Sequence, residues 1–208
     1  MKDIHTKIFD FAYGAGLHDA TAQRAFEGEK KYLRECESAK KIVKEYIDAV
    51  IDGNKVDFYD TARKIEKCYN DYIKSKNKEH KFTFGNTQKL INMTVKNMYT
   101  VVYIDESLRK NFEQCHCPMD NKMINIAKVE IEKVKRESQQ LLPKTISDFL
   151  QAKNWKGQLS ASWSNMVSDN YDSKKQYEIF QEIIRFLAER EGVSAIEYDY
   201  LVWDKEKE

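Results

Sequence analysis

The stretch Gln88-Lys89-Leu90-Ile91-Asn92-Met93-Thr94-Val95-Lys96-Asn97-Met98-Tyr99-Thr100-Val101-Val102-Tyr103 decides the fold. Wound at 3.6 residues per turn, its apolar residues cover most of the helix circumference and leave one polar stripe: Lys89, Asn92, Lys96 and Tyr103. A helix that is apolar on most sides is a central helix, with others packed around it. Two lysines in line on such a helix either snorkel to the surface or point into a solvent-filled cavity, because an unpaired buried ammonium is costly.

Working outward, the pattern predicts more helices. A short one is expected from Ile4 to Tyr13, ended by Gly14 and Gly16, and then a long one, capped by Asp19 or Thr21, running towards Ile51 with Gly28 as a possible bend. After the turn Asp52-Gly53-Asn54, a third reads from Val56 to Ile73, pairing antiparallel with its predecessor. Beyond the central helix come a loop from Asp105 to Met119 and a helix capped by Asp120 or Asn121. A short helix follows Pro143, and a last long one spans Ser173 to Glu191. At the end, Ile196, Tyr198, Tyr200 and Val202 alternate with other residues, which predicts an extended segment that either packs on the helices or pairs with another extended piece such as Lys81 to Phe84. The expectation is a mostly α, compact domain of six or seven helices, residues 1–208, with minor extended structure near the C-terminus.

Composition agrees. The chain has 208 residues with only two prolines and seven glycines, too few for a many-stranded β architecture with its turns. A charged fraction of 33% without a like-charge block suits solvated helix faces. The net charge of +1 gives no global attraction to DNA or an anionic membrane, so such a role needs a local patch. One exists: residues 74–96 carry six lysines and one acid, Glu79, balanced by an acidic end, residues 189–208, with seven acids against three bases. No apolar run is long enough to span a membrane and no targeting signal is visible, so a cytoplasmic location is expected. Cys36 and Cys68 read as small core hydrophobes. Cys115-His116-Cys117 lacks the second, separated ligand pair of a zinc site, so no metal or other cofactor is expected.

Chemistry is suggested by Lys89, four residues after Gly85, and by Pro118-x-Asp120 at the start of another helix. A lysine in the first turn of a helix sees the positive end of the dipole, which favours the neutral, nucleophilic amine. A facing carboxylate would stabilise positive charge or move protons, as Schiff-base chemistry at a sugar carbon requires.

Gly85-Asn86-Thr87-Gln88-Lys89 and Pro118-Met119-Asp120 resemble the motifs of helix-hairpin-helix DNA glycosylases, with a spacing similar to the archaeal 8-oxoguanine branch. Hairpins of that family usually carry two glycines where this one has Gly85 alone. The resemblance implies base flipping, with Lys89 attacking the deoxyribose and Asp120 stabilising charge. Damaged DNA would lie on the amides of Gly85, Asn86 and Thr87 and on lysines including Lys81 and Lys96. Phe84-Gly85-x-x-Gln88-Lys89-x-x-Asn92-Met93, His116-x-Pro118-x-Asp120 and Trp203 also resemble a recurrent prokaryotic family, which implies no activity.

Two other readings stand beside this one. Arg109 and His116, separated by six residues, resemble the short motif of helical HEPN ribonucleases. Alternatively the chain is a non-catalytic helical binding protein, with Trp155, Trp163 and Tyr171 available for stacking. The simplest reading makes Asp120 a helix cap, Lys89 and the lysines of residues 74–81 solvated, and the two tryptophans lids on the core.

Overall fold

Helix α1 (Ile4–Ala20) does not stop at its glycines. Asp3 caps it through the Thr6 amide, and the chain runs helically through Gly14 and Gly16 to Ala20. Gly16 serves close packing: a Cβ there would sit 2.6 Å from Thr94 Oγ1 and 3.0 Å from the Leu90 carbonyl oxygen. Those atoms belong to α5 (Phe84–Val102), the central helix, and α1 against α5 is the most extensive helix contact among the described residues.

The computed structural model describes residues 3–22, 26, 30–138, 142–152, 154–159 and 161–203. Gly28 and the charged tail after Trp203 lie outside them. The chain divides into two compact units, Met1–Cys115 and His116–Glu208.

In the first unit, the described residues of the expected long second helix hold a single turn, α2 (Lys30–Leu33), followed by a separate α3 (Glu37–Ile51). Gly53, at φ +72°, makes the turn into α4 (Phe58–Ser75), which Asp57 caps through the Asp60 amide, and α3 packs on α4 as a hairpin. Tyr13 and Tyr69 join hydroxyls inside this unit. The connector before α5 is held by Asn70, whose side-chain amide donates to the Phe82 carbonyl (2.8 Å) and accepts from the Phe82 N–H (2.9 Å). Thr83 and Asn86 then form a reciprocal capping box that starts α5. The supposed loop after α5 holds α6 (Glu106–Asn111), capped by Asp105, and a 3-10 turn at Phe112–Gln114.

The second unit holds α7 (Asn121–Ser138), α8 (Lys144–Gln151), the single turn α9 (Trp155–Gln158), a 3-10 turn at Ala161–Asn165, α10 (Tyr171–Arg190) and α11 (Ala195–Val202). Helix α10 packs on α7, α8 and α11. The expected extended end is the helix α11. Ser194 accepts from the Glu197 amide while the Glu197 carboxylate accepts from the Ser194 N–H, and Ala195, Tyr198, Asp199 and Val202 form a buried face at helical spacing. Alternation over so few residues fits either period, and the capping box decides for the helix. The protein is thus mostly helical, as expected, with more helical segments than six or seven, several of a single turn, and no strand among the described residues. No helix is long and apolar enough to cross a membrane among the described residues.

Candidate functional site

Lys89 and Lys96 lie on the polar stripe of α5, and both are buried, 7% and 8% exposed. Between them Asn92 donates to Gln88 Oε1 at 3.2 Å, so the four residues form a buried polar seam on an otherwise apolar helix. The helix begins at Phe84, which puts Lys89 in its second turn. The positive pole of the dipole acts on the first turn and fades before reaching it.

The first turn itself is closed. Gly85, Asn86 and Thr87 are buried; the Asn86 amide donates to Thr83 Oγ1 (3.1 Å) and the Thr87 amide to the Thr83 carbonyl (2.9 Å). Asn86 Nδ2 reaches the Ala20 carbonyl at 2.7 Å, capping the end of α1. Seating a phosphate on these amides would require opening the cap. The lysines at 74, 76, 78 and 81 are exposed, a solvated segment.

Asp120 belongs to the second unit and acts as a helix cap, accepting from the Met123 amide at 2.9 Å. Just before it, Gln181 holds the irregular chain: its Oε1 accepts from the Cys117 N–H (3.0 Å) and its Nε2 donates to the Cys117 carbonyl (2.7 Å). His116 Nδ1 pairs with the Tyr177 hydroxyl at 3.0 Å. Burial, with Arg185 adding repulsion, drops its pKa to about 3 and keeps the ring neutral. A general base working near neutral pH needs a pKa near that pH, which runs against the ribonuclease role for His116. Its supposed partner Arg109 sits on α6 in the first unit, stacked over the Tyr103 ring at 5.5 Å.

Cys115 is buried in the first unit, its thiol pushed up to about 12 by burial. Cys117, in the second unit, is also buried. Among the described residues, no group of three His, Cys, Asp or Glu side chains could hold a metal ion. Trp155 and Trp163 are 6% and 8% exposed and pack as lids on the core, whereas Tyr171, opening α10, is exposed.

Sequence reasoning missed a groove in the first unit. A cavity of about 1040 Å³ lies among α1, α3, the end of α5 and α6. Its walls include Phe9, Ile47, Ile51, Met98, Val102 and Leu108. Apolar surface continues out of it: Val101 is 52% exposed and Ile104 96%, and both line it. On α1, the exposed Ile4 and Phe11 share a face with the lining residue Ile8, at steps of four and three. The available signal was the apolar end of α5, Val101-Val102 with Ile104 just beyond, too long for a helix end facing water. The α1 wall, Ile8 and Phe9, lies within the helix expected from Ile4 to Tyr13, but no local pattern joins it to the end of α5. Comparison with family models, with curated proteins and with solved structures finds no match for this chain.

Proposed function

We propose that the chain is a non-catalytic helical binding protein that engages a partner through the apolar groove of its first unit. The observation carrying this reading is the continuity of apolar surface from the floor of the groove over its rim to Ile104. Contiguous exposed apolar surface is a feature of interaction sites and is costly on a surface with no partner. A photo-cross-linking residue placed at position 104 is expected to give a discrete adduct in cells that is lost with Val101→Asp. The same residue at the exposed position Lys41, which does not line the groove, gives none. Equal labelling from both positions, or none from 104, would overturn the reading.

A base-excision reading keeps one supporting observation: Lys89 is a buried lysine, 7% exposed, and lysines that form Schiff bases often lie in such apolar surroundings. In this second reading Lys89 is the nucleophile towards damaged DNA and Asp120 the charge stabiliser. Borohydride trapping on abasic and damaged duplexes tests it. A covalent adduct absent in Lys89→Ala supports it, and no adduct together with no DNA retention at low salt ends it.

A further inference from the structure

We propose that the groove of the first unit receives a basic amphipathic helix from a partner protein; this rests on the binding reading above and specifies the partner's chemistry. Three features lead to it. The first is charge. The residues lining the groove include Asp3, Asp48, Asp105 and Glu106 against one lysine, Lys44; Lys44 and Asp48 pair with each other at 2.6 Å, and the exposed Glu106 lies 3.7 Å from Lys110, which leaves the lining acidic in balance. Asp3 and Asp105 are held below the usual carboxylate range by hydrogen bonds to Thr6 and to Ser107 and Leu108, so they stay ionised as caps.

The second is the direction of the helices. The C-terminal ends of α3 and α5 both reach the groove, through Ile51 and Val102, and neither has a basic residue in its last turn. Helix C-termini carry partial negative charge that cations normally offset. Helices α1 and the short α6 bring their N-termini there, each offset by its capping aspartate, Asp3 and Asp105. A cationic partner therefore meets an excess of acidic side chains and the ends of α3 and α5, whose Ile51 and Val102 carbonyls accept from Asn111 Nδ2 (2.8 Å) and the Asp105 N–H (2.9 Å) but whose last turns carry no basic residue.

The third is shape. The walls are helices whose backbone groups are bonded internally, and no strand occurs among the described residues, so strand addition has no edge to extend. Recognition must come from side chains, and an apolar trough continuing onto open surface suits the apolar stripe of a helix, with residues at i, i+3, i+4 and i+7. A small apolar ligand would leave Ile104 and Val101 exposed beyond it.

The test titrates the full chain with three 18-residue peptides: a Leu/Lys amphipathic helix, the same pattern with Glu for Lys, and a scrambled Leu/Lys sequence, read by fluorescence anisotropy. Only the patterned Leu/Lys peptide is expected to bind, more weakly as salt rises. The double variant Asp105→Asn, Glu106→Lys, which preserves the α6 cap because asparagine also caps, should weaken it about tenfold. Val101→Asp should do the same through the apolar rim. Equal binding of the Glu peptide, or no effect of the charge variant, overturns the cationic assignment while leaving the groove as a docking site. If the position-104 cross-link forms but no peptide binds, the helical partner is wrong and the binding reading stands. Occupation of the groove by a second copy, seen as a dimer abolished by Val101→Asp, or by an apolar dye alone would likewise overturn the proposal.

Discussion

Asn70 receives the Phe82 amide on one side-chain atom and returns a proton to the Phe82 carbonyl from the other; Gln181 treats Cys117 in the same two-bonded way. Each amide imitates a neighbouring strand for one residue of irregular chain, in a protein that offers no sheet to pair it among the described residues. The surroundings differ. The Asn70 pair is partly open to solvent, whereas Gln181 is 1% exposed and its bonds to Cys117 are buried. Phe82 is itself buried, but water can approach the first pair from the Asn70 side and cannot approach the second, so the same geometry carries different weight in the two units.

Gln181→Leu is the hardest test of that contrast. It strands a buried N–H and C=O on Cys117 and should cost about 3 kcal/mol in urea unfolding. A loss no greater than that of Asn70→Leu would break the comparison.

His116, beside the second clamp, sharpens it with pH. Its pKa falls from 6.5 to about 3 on folding, so the unfolded chain binds more protons below pH 6.5. The stabilisation from keeping this ring neutral is complete above pH 6.5 and is lost as pH falls towards 3. At pH 5 the loss amounts to about 2 kcal/mol. Comparing urea midpoints at pH 7 and pH 5 should therefore show a smaller drop in His116→Phe than in the parent.

Asn70→Leu should cost less, about 1.5 kcal/mol, because Asn70 is only half-buried and water entering at its position can partly replace its bonds to the buried Phe82. Thr83→Ala, one residue on, removes a helix cap and should cost about 1 kcal/mol by thermal unfolding. If both losses equal that of Gln181→Leu, burial does not govern these clamps.

The clamps also mark where sequence reading succeeded and failed. Helices with an apolar stripe and a terminal cap were legible: α4 after Gly53, α5 as the centre, α7 from Asp120. Gly14 and Gly16 do not end α1: the role of Gly16 depends on Leu90 and Thr94 of α5, more than seventy residues away, which no local pattern reveals, and at Gly14 a side chain would meet nothing. The α11 helix was misread as extended although Ser194 and Glu197 stand at capping-box spacing, since alternating residues drew more weight than the cap. Of the candidate site, the polar seam of Lys89, Asn92 and Lys96 was legible as a stripe on α5. Its burial was not, because the stripe alone left the surface and a cavity equally open. The clamps and the groove were invisible for a common reason. Each is made by side chains from segments far apart, and an asparagine or glutamine inside a helix carries no mark of the backbone it will hold.

The contact of Asn86 with Ala20 has a kinetic consequence. One side chain completes the start of α5 and the end of α1, so neither helix end can fray without releasing the other. In native-state hydrogen exchange, the amides of Asn86 and Thr87 and those closing α1 through Thr21 should open as one unit, at a rate set by this single amide.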